Sequence, residues 1–194
     1  MIGIVDYGCG NLKSLENALE SMGLASRRVS ARADVLEADR LILPGVGNFG
    51  HAGAELTRRD LGDALKERAD LGRPLLGICL GMQLLFEGSA EAPDVPGLGL
   101  LAGRSELFED PSLKVPHMGW SAVAFGDLSG AAYFVHSYFV PAFPEGRAAE
   151  VAIAHYGRPF LAGFRSGALS GFQFHPEKSG TYGLALLKEA LTWS

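Results

Sequence analysis

Only two cysteines, Cys9 and Cys79, occur in 194 residues. Two thiols make no disulfide framework, and four ligands at zinc-like spacing are absent, so a structural metal is not expected. Basic runs are also missing and the net charge is −5, which disfavours a nucleic-acid partner. Long apolar runs are missing too. The longest, Pro74 to Phe86, is broken by Gly77, Gly81 and Gln83 and is shorter than the ~20 residues that span a bilayer, so no membrane association is expected. The opening Met1-Ile2-Gly3-Ile4-Val5-Asp6 has no positively charged region and no cleavage site, and a signal peptide is not expected. Together these absences predict a soluble, cytoplasmic chain with reduced thiols.

What the chain has in excess is glycine, with 26 residues, nearly double the usual ~7%. No fixed period runs through them, so collagen is excluded and tight turns or close backbone approaches are implied. A hydrophobic content of 47% with 20% charged residues suits a globular fold. The length predicts one domain over residues 1–194.

The first half alternates between short apolar runs and helical spacing. Ile2–Val5, Ala25–Val29, Arg40–Leu43 and Pro74–Ile78 read as strands. Leu12, Leu15, Leu19 and Met22 mark one helix, 54–69 a second, and Met82–Phe86 the start of a third. Near-continuous apolar strands alternating with helices predict an α/β fold: an open, mostly parallel twisted sheet with helices on both faces. The second half is richer in strands, with candidates at 104–108, 121–125, 133–136, 150–155, 161–165 and 169–174, which predicts an antiparallel extension. A last helix is expected over Tyr182–Leu191.

Between the fourth strand and its helix stands Gly77-Ile78-Cys79-Leu80-Gly81. This is a nucleophile-elbow pattern with Cys where hydrolases often carry Ser. A buried Cys is often only a small apolar residue, but the strand–Gly-x-Cys-x-Gly–helix context makes Cys79 the candidate nucleophile. The helix N-terminus that follows would favour its thiolate and present N–H groups to an oxyanion. Cys9 lacks that context and reads as structural.

A thiol nucleophile needs an imidazole to move protons. His175, in Phe172-Gln173-Phe174-His175-Pro176-Glu177, ends an apolar strand on the same predicted sheet edge, and Glu177 can turn back to orient the ring. His136, in Tyr133-Phe134-Val135-His136-Ser137-Tyr138, is a rival. His117 sits in Val115-Pro116-His117-Met118-Gly119-Trp120, and His51 and His155 read as structural. Finally, Pro44-Gly45-Val46-Gly47-Asn48-Phe49-Gly50 follows the third strand. It lacks the Gly-Lys-Ser/Thr of a phosphate loop, so it is better suited to lend an N–H to an oxyanion.

These pieces, in this order, resemble the class I (triad) glutamine amidotransferases, whose fold is flavodoxin-like. Within that family the segments Asp6-Tyr7-Gly8-Cys9-Gly10-Asn11-Leu12 and Val115–Trp120 are most similar to the branch that serves histidine biosynthesis. The resemblance implies glutamine hydrolysis with Cys79 as nucleophile, His175 as acid/base and Glu177 as its orienter. Backbone N–H groups of Val46 or Gly47, with Leu80, would form the oxyanion hole. Gln83, Glu91, Ser137 and Tyr138 would bind glutamine. Met118, Trp120, Tyr133 and Lys178 would face a (β/α)8-barrel cyclase subunit in a heterodimer, and no metal or cofactor is called for. Ser121 departs from the Asn expected after this Trp. The other readings are a glutaminase subunit of a different ammonia-using synthase and a non-catalytic module on the same fold.

Overall fold

A computed structural model describes residues 1–147 and 149–192. A seven-stranded sheet runs in the order β10-β11-β12-β4-β3-β1-β2. Its parallel part joins β1 (Ile2–Val5), β2 (Ser26–Val29), β3 (Arg40–Leu43), β4 (Leu75–Ile78) and β12 (Leu169–Phe172). The antiparallel pair β10 (Glu150–Tyr156) and β11 (Arg158–Ser166) extends it beyond β12. The expected open sheet with an antiparallel extension is therefore what the chain forms.

Both faces are covered, and the period of two along the strands sorts the core. Val5, Leu41, Leu43 and Leu75 pack with α2 (Arg32–Glu37), α3 (Phe49–Arg58) and α4 (Leu61–Asp70). Ile4, Ile42, Leu76 and Ile78 pack in the other half with α1 (Leu12–Ser21) and α6 (Gly180–Ala190). A hairpin of β7 (His117–Phe125) and β8 (Leu128–His136) joins this second half through Val123, Phe125, Ala132 and Phe134. α5 (Leu80–Leu84), β5 (Phe86–Ser89), β6 (Leu101–Leu107) and β9 (Tyr138–Phe139) complete the frame. No helix among the described residues is long and apolar enough to cross a membrane.

Several boundaries differ from the sequence reading. The single helix expected over 54–69 is two. The stripe Phe49, Ala52, Gly53, Leu56 restarts at Leu61, Ala64, Leu65, Arg68, and a five-residue step rotates it by about 140° on a continuous helix. Asp60, left-handed at φ 56°, makes the break that lets both stripes face the core. α2 was not expected, because six residues with one buried side chain, Val35, carry too little periodicity. Phe86 begins a strand rather than ending a helix, pairing with Leu101. The strand expected over 169–174 ends at Phe172, since the Gln173 N–H turns to the Ala162 carbonyl and the His175 N–H to the Tyr133 carbonyl.

Arg68 locks the edge where the parallel strands begin. It is fully buried, and its guanidinium donates to the carbonyls of Val35, Ala38, Asp39 and Pro74 at 2.8–3.2 Å. Burial pulls its pKa down to about 10, which leaves it charged at neutral pH. Arg68→Met is expected to cost roughly 3 kcal/mol or more, because it takes a donor from four carbonyls at once, of which Pro74 keeps a second in the Leu41 N–H. Urea unfolding measures the loss, and an unchanged midpoint would contradict it.

Candidate active site

The parallel strands deliver their C-terminal ends to one edge, where open α/β sheets bind ligands. Tyr7 and Cys9 follow β1, Pro44–Gly47 follows β3, Cys79 follows β4, and His175 lies just beyond β12. Cys79 itself sits at φ 54°, ψ −113°, a strained conformation for a residue with a side chain. Its N–H donates to the Phe172 carbonyl at 2.7 Å, and its own carbonyl accepts from Met82 and Gln83 in the first turn of α5. Flanking glycines are required on steric grounds. A Cβ on Gly81 would lie 1.9 Å from the Leu43 carbonyl oxygen, and one on Gly77 would lie 2.6 Å from the Met82 Cα. Gly45 is closed in the same way by the Gly81 nitrogen at 2.7 Å and the Tyr7 hydroxyl at 2.9 Å. That hydroxyl donates to the Pro44 carbonyl at 2.8 Å and braces the loop from β1.

His175 is buried, and its Nδ1–H donates to Glu177 Oε1 at 2.8 Å. Its Nε2 is buried without a hydrogen-bond partner. Burial opposes a charge on the ring, but the Cys79 sulfur and the Glu177 carboxylate outweigh it and raise the pKa above the ordinary value. His136, the rival, has no carboxylate partner among the described residues. Its Nδ1–H donates to the Tyr138 carbonyl, and burial pulls its pKa down to about 3. A ring held neutral through the working range is a poor proton shuttle, so His175 is the better placed of the two.

His175 is also strapped to the hairpin. Its N–H donates to the Tyr133 carbonyl, the Tyr133 N–H donates to Ser179 Oγ at 2.9 Å, and that hydroxyl donates to the His175 carbonyl at 2.6 Å.

One cavity of about 240 Å³ is lined by Cys79, His175, Val46, Gly47, Leu80, Gln83, Glu91, Ser137 and Tyr138, among others. The structure therefore gathers the nucleophile candidate, the base and all of the expected oxyanion and glutamine residues in one place. Leu80 opens α5, so its N–H has no partner within the helix. Gly47 is at φ 94°, and a Cβ on it would meet nothing within 4 Å. Glu91 caps α3 by accepting from the Phe49 N–H at 2.7 Å. On the hairpin, Met118 and Trp120 are 63% and 59% exposed, Tyr133 packs edge-on to Trp120, and Lys178 is exposed nearby in sequence to the base. Cys9 is buried in the half of the core that holds Tyr7, and burial raises its thiol pKa. A larger groove of about 970 Å³ lies at the opposite edge, by the starts of β3 and β4, without a thiol or an imidazole in its described lining.

Gln173 was missed by the sequence reading. It is fully buried, accepts from Gln83 Nε2 at 2.9 Å, and turns its own amide nitrogen to the Cys79 sulfur at 3.9 Å. A lone amide between Phe172 and Phe174 was the available signal.

The sequence matches the family model described as "Glutamine amidotransferase class-I" over residues 3–192. A Rhodopirellula baltica relative named "Imidazole glycerol phosphate synthase subunit HisH" is 48% identical, covering 99% of this chain and 97% of that protein. One of the same name from Deinococcus radiodurans is 46% identical over 95% of this chain and 89% of that protein. The Arabidopsis thaliana protein "Imidazole glycerol phosphate synthase hisHF, chloroplastic" is 40% identical over 98% of this chain but only 34% of its own length. Among solved structures, one titled a glutamine amidotransferase superposes with a TM-score of 0.81 at 23% identity, covering 98% and 96% of the two chains.

Two outcomes are expected. Gly81→Ala should destabilise the fold by about 3 kcal/mol, the upper end of overpacking costs, as read by urea unfolding. Because the His175 pKa is raised in the folded state, its contribution to stability is full below the ordinary imidazole pKa and fades as pH rises through the raised value. Glu177→Gln should make that fading smaller between pH 6 and 10. An identical pH dependence in both proteins would contradict the Glu177 contribution.

Proposed function

The chain belongs to the class-I glutamine amidotransferase family, and on that footing we propose that it is the glutaminase subunit of an imidazole glycerol phosphate synthase. In this reading it hydrolyses L-glutamine and hands the ammonia to a cyclase subunit in histidine biosynthesis. The observation that carries the chemistry is the meeting, in one cavity, of the Cys79 thiol and an imidazole whose Nδ1 is taken by Glu177 while its Nε2 is unpartnered. Naming of near full-length relatives supports the choice of synthase.

Each step uses a group already placed. The Cys79 thiolate attacks the side-chain amide carbon of glutamine, and the carbonyl oxygen becomes an oxyanion. The Leu80 N–H and that of Val46 or Gly47 receive it. His175 gives the Nε2 proton to the departing nitrogen, and ammonia leaves a thioester on Cys79. Water then attacks the thioester, His175 takes one of its protons, and glutamate is released as the thiolate re-forms. Glu177 keeps the ring in the tautomer that turns Nε2 to the sulfur. Gln83, Glu91, Ser137 and Tyr138 hold the amino-acid end of the substrate.

The ammonia acceptor needs a second active site, and we assign it to a (β/α)8-barrel cyclase subunit bound as a heterodimer. Met118 and Trp120 form an exposed apolar patch of the kind that marks interaction surfaces, with Tyr133 and Lys178 beside it. The Arabidopsis relative, of which this chain matches a third, carries both subunit letters in its name, in keeping with a fused form of the same pair. Two free thiols suit a cytoplasmic location. The glycine at 47, at positive φ with open space at its Cβ position, suits an oxyanion donor that aligns only when the cyclase is docked.

Cys79→Ala is expected to abolish glutamine-dependent synthesis by the reconstituted pair while leaving synthesis from ammonium intact. Glutamine use surviving in that variant would remove Cys79 as nucleophile. Glutaminase turnover of the unaltered chain should rise on adding the cyclase and its nucleotide ligand. Equal turnover with and without them would count against the partner.

A further inference from the structure

Beneath the glutamine cavity a chain of buried polar groups runs from β7 to the nucleophile, and none of its histidines has a role in the chemistry above. The backbone carbonyl of Tyr138 stands at its centre. It accepts from His136 Nδ1 at 2.8 Å and from Gln83 Nε2 at 2.8 Å, which uses both of its lone pairs. A carbonyl can only accept, so His136 carries its proton on Nδ1. Its Nε2 is then an acceptor and takes the Nδ1–H of His117, 3.1 Å away. His117 Nε2 in turn accepts from the Ser121 hydroxyl at 3.0 Å. Ser121 can reach because it lies four residues along the same strand and so on the same face of β7. Both rings are more than nine-tenths buried, and neither has a carboxylate partner among the described hydrogen bonds. Burial lowers the pKa of His117 to about 4 and that of His136 to about 3. They are neutral in the working range, as this sequence of donors requires.

We propose that His136, oriented by His117 and Ser121, is a positioning residue for glutamine. By donating to the Tyr138 carbonyl it fixes the Ser137–Tyr138 wall of the cavity. The same carbonyl orients Gln83, whose second amide hydrogen goes to Gln173. Loss of the imidazole donor frees one side of the carbonyl, and the wall loses its register with the substrate. Loss of the Ser121 donor leaves His117 free to shift its proton to Nε2. Its bare Nδ1 then faces the bare Nε2 of His136, and the relay is unseated from its outer end. Ser121 thus supplies a donor at the position where the sequence departs from expectation. This inference rests on the glutaminase reading, because it is for glutamine that the wall is held.

The test measures alkylation of Cys79 in the full chain, docked to the cyclase throughout, by acivicin, a glutamine-shaped electrophile, and by iodoacetamide, which needs no wall. His136→Leu keeps the bulk and removes the donor. It should slow acivicin labelling about five- to tenfold and change iodoacetamide labelling by less than about twofold. His136→Asn, with an amide nitrogen near the Nδ1 position, should recover most of the acivicin rate. Should His136→Leu fail to fold, Ser121→Ala, at a half-buried position, is expected to slow acivicin alone by about two- to threefold. Unchanged acivicin rates, or equal losses with both reagents, overturn the positioning role. Failure of acivicin to label Cys79 in the unaltered chain, with iodoacetamide still reacting, overturns the glutaminase reading itself and this role with it.

Discussion

The contact on which the site depends is backbone against backbone. The turn at Gly81 lies against the last carbonyl of β3, with no space for a methyl group. Gly45 lies against the Gly81 nitrogen from the other side, and the Tyr7 hydroxyl closes the seam from β1. The spacing between the Cys79 turn and the loop that would lend an oxyanion N–H is therefore set by contacts that no side chain can adjust. The positive φ of Cys79 persists because this seam and the hydrogen bond to Phe172 hold the turn from both sides. Beyond Gly45 the loop opens to solvent: Val46 is exposed and a Cβ on Gly47 would meet nothing within 4 Å.

Three histidines lie around this seam, and their surroundings divide the work. His175 has a carboxylate on one nitrogen and the sulfur near the other, so its charged form is favoured. His117 and His136 are buried with only neutral partners, so their charged forms are disfavoured and they act as fixed dipoles. The hairpin of β7 and β8 serves both arrangements. Its inner face carries the two neutral imidazoles, its outer face carries Met118 and Trp120, and its backbone at Tyr133 accepts from the His175 N–H. One element thus joins the exposed apolar patch, the Ser137–Tyr138 side of the cavity and His175.

The parallel core was legible in the sequence because β1, β3 and β4 are unbroken apolar runs ended by Asp6, Pro44 and the elbow glycines. The break between α3 and α4 was also written there, in the phase slip from Leu56 to Leu61, but a helical stripe is easily read through one charged turn. β9 and β5 were not legible. Two and four residues of mixed character owe their extension to the partners they pair with, Glu106–Leu107 and Leu101–Ser105. The end of β12 likewise depends on Ala162 and Tyr133, which lie on other strands.

Sequence by itself determined the elbow, insofar as Gly-x-Cys-x-Gly between a strand and a helix is a local steric requirement carried by consecutive residues. It also determined which strands would be buried on both faces. Only the tertiary structure decided which imidazole is placed beside that thiol with a carboxylate behind it. His136 and His175 both end apolar segments, and Glu177 two residues on already favoured His175 along the chain. What separates them is the company each keeps in space: Glu177 beside one, and the Tyr138 carbonyl and His117 beside the other. Protonation is decided both by these near neighbours and by ones brought from distant elements, Cys79 to His175 and His117 to His136, which meet only once the sheet and the hairpin have packed.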